Sequence, residues 1–341
     1  MELRTSDFNY YLPPELIAQT PVEPRDSARL MVMHRDTGKL EHKQFTDLPS
    51  YLRSGDVLVF NDSRVIPARL SGKKLGTGGN VEVLLLKRLG PHIWETLVKP
   101  GKRIKKGAQL EFEYSVTAEV VEEKEEGIRI VCFSDEARLP SLGEIALPPY
   151  IHAALANPER YQTIYADRPG SVAAPTAGLH FTERLLQQVR DMGVKCVFVT
   201  LHIGLDTFRP VQEENPRLHH IHREYGYVGA EAAAELSRAR REGNRVICVG
   251  TTSVRLVEEA ARYGEPPDIP PLDGGWVELF ILPGYQFLAT DAIVTNFHLP
   301  CSTLLMLVSA FAGRELISKA YAEAIEQKYR FFSFGDATFI V

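Results

Sequence analysis

Two patterns of hydrophobicity follow one another along this chain and set the strongest limit on its fold. From about residue 56 to residue 133 the apolar residues come in five short β-rich runs (56–60, 80–86, 92–98, 109–114 and 127–133) separated by glycines or charged turns. Runs of that length and spacing build a small sandwich or barrel. From residue 151 the pattern changes. Stretches 195–201 and 245–249 read as buried strands, and 182–192, 231–242 and 254–263 as helices, with Thr182 capping the first. Buried strands alternating with helices imply an α/β sheet with mainly parallel pairing. The first sixty residues are not self-sufficient and are assigned to that sheet. The expected fold is α/β: a mixed-sheet main domain of residues 1–60 and 152–341, carrying an inserted all-β barrel of residues 61–151.

With 341 residues, 44% of them hydrophobic and 24% charged, the chain can bury a core in both domains. Cys132, Cys196, Cys248 and Cys301 form no CxxC pair and read as reduced core thiols of a cytosolic protein. The first residues hold no apolar stretch of the kind a signal peptide needs. The longest apolar run, 304–312, falls far short of the roughly 20 residues that cross a bilayer. The expectation is a cytoplasmic enzyme without membrane contact, acting as a monomer. A net charge of −5 argues against general affinity for nucleic acid, but not against a local patch. Lys99, Lys102, Arg103, Lys105 and Lys106 could form one, and ordinary solvated loop cations would look the same.

Six of the ten histidines fall in four short runs, 170–182, 200–208, 219–224 and 295–303. Histidine titrates nearest neutrality, so such clustering suggests proton transfer or metal ligation. Segment 245–255 reads as a strand, a tight turn at Gly250 and a helix start. Free amides at such a turn, aligned with the helix dipole, suit a carboxylate or phosphate. Thr251 and Thr252 add hydroxyls and Arg255 a bidentate cation. The same residues would equally serve as a helix cap. His202 closes a buried strand, where side chains line the ligand crevice of an open sheet. It could instead be a satisfied structural histidine, and so could His180. On a strand, His220, His222 and Glu224 would face one way, which suits either a metal or a proton relay oriented by the carboxylate.

Longer strings tie these runs together. They include 8–19, 25–30, 61–70, 160–163, the run 173–181 (Ala-Ala-Pro-Thr-Ala-Gly-Leu-His-Phe), the run 295–300 (Thr-Asn-Phe-His-Leu-Pro) and 329–336. Together they resemble the S-adenosylmethionine:tRNA ribosyltransferase-isomerase family of queuosine biosynthesis over nearly the whole chain. The resemblance implies an α/β domain with an inserted β-barrel. It implies an enzyme that transfers and isomerises the ribosyl moiety of S-adenosylmethionine onto 7-aminomethyl-7-deazaguanine at the tRNA wobble position. The products would be epoxyqueuosine in tRNA, adenine and methionine. The implied partners are tRNA and S-adenosylmethionine, the latter as co-substrate, with no cofactor and no metal. Proton transfers are assigned to His180, His202, His220, His222, Glu224 and His298. Thr176, Gly178, Arg209, Gly250, Thr251, Thr252, Arg255 and Asn296 are assigned to S-adenosylmethionine. The expected base is His202 or His222, with Glu224 orienting the latter. His180 or His298 is expected near adenine, and Arg255 at the methionine carboxylate. Residues 99–106 are the candidate patch for tRNA phosphates. Two other readings of the residues stay open at this stage: a metal-dependent hydrolase built on 219–224, and a non-catalytic tRNA-binding protein.

Overall fold

A computed structural model describes residues 3–124, 127–204, 210–221 and 223–341. The chain divides into two compact units. The first comprises Met1–Ser63, Pro149–Arg168 and Ala174–Val341; the second comprises Arg64–Pro148 and Pro169–Ala173. Pro169–Ala173 thus joins the second unit, although the sequence pattern left it in the α/β domain.

Three strands of the first unit precede the second: β1 (Arg29–Met33), β2 (Leu40–Gln44) and β3 (Val57–Asn61). The second unit supplies β4 (Arg69–Lys74), β5 (Asn80–Gly90), β6 (Ile93–Lys99), β7 (Gln109–Glu111), β8 (Thr117–Glu123) and β9 (Ile128–Phe133). They pair antiparallel in the order β4-β5-β6-β9-β8-β7, and β7 returns to β4 through Lys73 opposite Glu111. The result is a closed six-stranded barrel with Val83, Val98, Leu110, Val120, Val131 and Phe133 buried. The strand missing from the sequence reading is β4: only Leu70 of its six residues is buried, so it carries no apolar run. The buried Arg129 of β9 donates to the carbonyls of Gly101 (3.0 Å) and Ile104 (2.8 Å). Those bonds pin the loop from which Lys102, Arg103, Lys105 and Lys106 project, all four exposed.

The first unit resumes with α1 (Glu183–Asp191), β10 (Lys195–His202), β11 (Glu224–Val228), α2 (Ala230–Arg241) and β12 (Val246–Val249). It continues through α3 (Thr251–Ala261), β13 (Leu272–Val277), β14 (Ala292–Asn296), α4 (Thr303–Ala312), α5 (Arg314–Glu326) and β15 (Ala337–Ile340). Caps start two of these helices: Thr182 Oγ1 accepts from Leu185 N, and Ser302 Oγ from Leu305 N. Among the described residues nine strands form one sheet, ordered β13-β11-β10-β3-β12-β14-β15-β1-β2. Its centre, β10-β3-β12-β14, is parallel, whereas β11, β13 and β2 pair antiparallel, as does β14 with β15. The sheet is therefore mixed, and its parallel pairing is confined to the middle and to β1 with β15.

The first β-rich run of the sequence, 56–60, is not a barrel strand. It is β3, at the heart of this sheet. Val57 and Val59 enter the core on one face, Leu58 and Phe60 the core on the other. A parallel strand buried on both faces reads as a continuous apolar run, and short length alone does not separate it from a barrel strand.

Candidate active site

The carboxyl ends of the parallel strands open into one cleft of about 580 Å3, counting the space open to solvent. Ligands of open α/β sheets sit at that edge, where the loops leaving the strands diverge. Ile203 follows β10, and Gly250, Thr251 and Thr252 follow β12. Thr295 and Asn296 end β14, and His298 lies just beyond. Thr176 stands on another wall; Tyr150, Phe332 and Ser333 form a third.

Helix α3 begins three residues earlier than its sequence suggested, with Gly250 (φ +91°) as N-cap and no capping side chain. Thr251, Thr252 and Ser253 are thus its first turn, not a cap. Their amides precede the first intrahelical bond, from Val254 N to Gly250 O at 3.2 Å. They therefore stand at the positive end of the helix without an intrahelical acceptor. Ser253 Oγ turns back to Val249 O (2.8 Å), which leaves the hydroxyls of Thr251 and Thr252 for the cleft. Asn61 Nδ2 donates to Thr252 Oγ1 (3.4 Å) and to Leu201 O (2.9 Å). Backbone amides and two hydroxyls make a seat for a carboxylate.

Asn296 organises the opposite wall. Its Oδ1 accepts from Thr176 Oγ1 (3.0 Å), and its Nδ2 donates to Phe332 O (3.2 Å) and to His180 Nε2 (3.2 Å). The Phe332 carbonyl can only accept, so the amide nitrogen must lie on that side. His180 Nε2 is then an acceptor, and the imidazole is the neutral form protonated on Nδ1. Burial, with the Arg330 charge nearby, lowers His180 to about 4. Phe332 has φ +69°, an uncommon backbone for a large side chain, and that conformation aims its carbonyl at Asn296.

His298 sits in the cleft itself. Burial lowers it to about 3. Its Nε2 lies 3.1 Å from Thr295 Oγ1, and its peptide is held by the hydroxyls of Tyr321 and Tyr10. At neutral pH both His180 and His298 are uncharged, so they accept or share protons and do not donate from an imidazolium.

The other expected site residues lie elsewhere. His180 stands one hydrogen bond behind the cleft, against Phe45 and beside a smaller cavity that also meets Arg25 and Arg160. Gly178 lies against Tyr165, where an added Cβ would come within 1.9 Å of the phenolic oxygen. Its role is to permit that approach, not to line the cleft. Arg255 and Glu224 form an ion pair, each side chain 5% exposed. Arg255 Nε also donates to Leu279 O (3.1 Å), and its Nη2 has no hydrogen-bond partner among the described residues. Arg255 therefore belongs to the inner face of α3 and is not among the residues that line the cleft. Glu224 pairs with Arg255 and accepts from Gly204 N (3.2 Å). His202 ends β10 next to Ile203 but turns its ring toward Tyr225; burial and Arg168 lower its pKa, and its Nδ1 has no hydrogen-bond partner among the described residues. His220 is exposed. His222 and Arg209 lie outside the described residues. Tyr150, Phe332, Ser333 and Asn61 were not expected at the site. A hydroxyl pair (Tyr150 with Ser333, 2.7 Å) and a left-handed phenylalanine leave no local sequence signal.

Among the described residues no three His, Cys, Asp or Glu side chains converge as a metal site would require. In the 219–224 run, His219 is bound to Glu213 (2.8 Å) and Glu224 to Arg255. The metal-hydrolase reading has no support in this geometry.

A cleft at the carboxyl edge of a mixed α/β sheet, with a carboxylate seat on one wall and the neutral imidazole of His298 on another, fits an α/β enzyme whose small substrate carries a carboxylate. The family model described as "Queuosine biosynthesis protein" matches residues 5–340. A relative named S-adenosylmethionine:tRNA ribosyltransferase-isomerase in Dehalococcoides mccartyi is 55% identical over 99% of this chain and 100% of its own length. A protein of the same name from Clostridioides difficile is 52% identical over the same shares. The crystal structure of an S-adenosylmethionine tRNA ribosyltransferase from Thermotoga maritima is 40% identical. It matches 98% of this chain and 100% of that one, with a TM-score of 0.58. The chain belongs to the queuosine biosynthesis protein family.

Proposed function

We propose that this chain is an enzyme that transfers and isomerises the ribosyl moiety of S-adenosylmethionine onto 7-aminomethyl-7-deazaguanine at the tRNA wobble position, giving epoxyqueuosine in tRNA, adenine and methionine. The observation that carries the reading is its identity of 51–55% over full length with proteins of that name. The cleft suits the chemistry. A sulfonium acidifies the neighbouring 5′ carbon, so a neutral imidazole can take a proton there. Adenine departs, the amine of the tRNA base attacks the sugar, and epoxide closure expels methionine. S-adenosylmethionine brings both leaving groups, so the reaction needs no further cofactor. The enzyme works in the cytoplasm on its tRNA, whose phosphates meet the barrel loop carrying Lys102 and Lys105.

In this reading the first turn of α3, with Thr251 and Thr252, holds the methionine carboxylate. Asn296 fixes Thr176 and His180, and His298 faces the bound nucleoside. The double variant Thr251→Val/Thr252→Val is expected to weaken S-adenosylmethionine binding roughly tenfold, the worth of one or two neutral hydrogen bonds. Calorimetric titration measures it, and an unaltered affinity moves the carboxylate elsewhere. The reaction itself is tested by chromatography after mixing protein, S-adenosylmethionine and tRNA bearing the aminomethyl base. Adenine and methionine should appear in step with modified tRNA. Intact S-adenosylmethionine beside an active relative contradicts the proposal.

A further inference from the structure

Strands β10, β11 and β13 carry a row of rings that the reaction above leaves unused. Leu201, Val228 and Val277 of these strands are buried in the core shared with α3. By the two-residue period of a strand, His202, Tyr225, Tyr227 and Trp276 point to the other face. The register sets His202 opposite Tyr225, and Tyr225 opposite Trp276. The three rings therefore run side by side across three strands. Tyr225 and Trp276 meet edge to face at 5.5 Å, and the His202 and Tyr225 rings lie within 12° of parallel. Tyr225 is 44% exposed and Trp276 41%.

Two neighbours shape this face. The exposed Arg168 guanidinium lies 4.3 Å from the Tyr227 ring centroid, which brings a cation to the edge of the row. Gly274 of β13 has φ +75°, and a Cβ there would fall 2.0 Å from the Tyr225 hydroxyl. Only glycine allows Tyr225 to lie across the next strand in this way.

Exposed aromatic side chains beside a cation are the features that hold unpaired nucleobases, since every base has a π face and a nearby backbone phosphate. The row also starts at the right place. His202 is followed directly by Ile203, which forms part of the cleft wall. We propose that the His202–Tyr225–Trp276 row is a stacking platform for unpaired bases of the RNA substrate, next to the nucleotide that enters the cleft. The inference rests on the function proposed above and extends it to how the anticodon loop is held open. Binding through stacking is tolerant of base identity, so the platform orients the loop and leaves recognition of the modified base to the cleft.

Trp94 and Trp276 are the only tryptophans in the sequence. In a Trp94→Phe background, protein emission reports Trp276 alone, and an anticodon stem-loop RNA is expected to quench it. In the otherwise native chain, Tyr225→Ala/Trp276→Ala should raise the Kd for tRNA roughly 5- to 150-fold for each stack lost. Trp276→Phe should restore most of the affinity. The dependence of Kd on salt should be unchanged in these variants, whereas Lys102→Glu/Lys105→Glu in the barrel should flatten it. Unquenched emission from the Trp94→Phe protein on adding the RNA, or an unchanged Kd in Tyr225→Ala/Trp276→Ala, overturns the platform. So does a wild-type dimer that sediments as a monomer in Tyr225→Ala/Trp276→Ala, because the face would then belong to a second copy. Adenine release by the wild-type protein keeps the two ideas apart. Turnover with normally binding aromatic variants removes the platform alone, and quenching without turnover removes the proposed reaction alone.

Discussion

Replacing Glu224 with alanine is expected to lower the unfolding free energy by about 3–5 kcal/mol, because it strands a buried cation. Arg255 and Glu224 are each 5% exposed, and among the described residues the guanidinium also donates to Leu279 O. Its Nη2 already lacks a hydrogen bond among the described residues, so loss of the carboxylate leaves the cation poorly satisfied. The pair ties α3 to β11 behind the cleft, and Glu224 Oε1 also accepts from Gly204 N, just after Ile203 of the cleft wall. Arg255→Ala should be comparably destabilising, as it leaves a buried carboxylate. Removing both charges is different: Glu224→Leu/Arg255→Met should recover most of the loss, since two apolar groups of similar volume need no solvation. Urea unfolding of the four proteins measures these differences. A Glu224→Ala protein within about 1 kcal/mol of the parent contradicts the buried pair.

Acid is expected to unfold the α/β unit through His180 and His298. Both have folded-state values below the ordinary 6.5, at about 4 and about 3, chiefly because burial disfavours the imidazolium. The unfolded chain therefore binds protons first as pH falls. The stabilisation is complete above about pH 6.5, declines as pH drops below it, and continues to decline to about 4 for His180 and about 3 for His298. By pH 4 each contributes a loss of roughly 3 kcal/mol. Burial raises the carboxyls of Asp62 and Asp336, which works in the opposite sense, so the parent's curve is a sum. The difference between parent and His180→Asn/His298→Asn isolates the histidines. The parent should lose stability relative to the variant between pH 6.5 and 4. Parallel curves would show that the imidazoles titrate normally.

Much of the architecture was legible in the sequence because patterning carries it. The caps Thr182 and Ser302 and the strands β10 and β12 follow from local rules of hydrogen bonding and period. The apolar run 56–60 was legible as a strand, and the boundary at residue 60 left it with the larger sheet, but its pattern matched the barrel runs and its central place in the sheet depends on residues far away in sequence. Strand β4 was invisible because it is largely polar. The site divides in the same way. Thr176, Gly250, Thr251, Thr252, Asn296 and His298 stand together in one cleft, all but Thr176 at or near the end of a strand. Arg255 looked like an anion clamp by its distance from Gly250 along the chain. The helix starts earlier than the pattern indicated and turns that side chain inward, where Glu224 meets it. Tyr150, Phe332 and Ser333 reach the cleft from remote segments, and no short-range pattern announces such an approach.

The central claim is transfer of a ribosyl group, and isotopic labelling of S-adenosylmethionine tests it most directly. One preparation carries heavy carbon throughout the ribose, another only in the methyl group. Each is incubated with this protein and tRNA bearing 7-aminomethyl-7-deazaguanine, and the digested nucleosides are weighed by mass spectrometry. The account predicts that the ribose carbons enter the modified nucleoside, while the methyl label leaves with methionine and adenine is released unlabelled. Methyl label in the tRNA, or ribose label remaining in a small-molecule hydrolysis product with the tRNA unchanged, would contradict it.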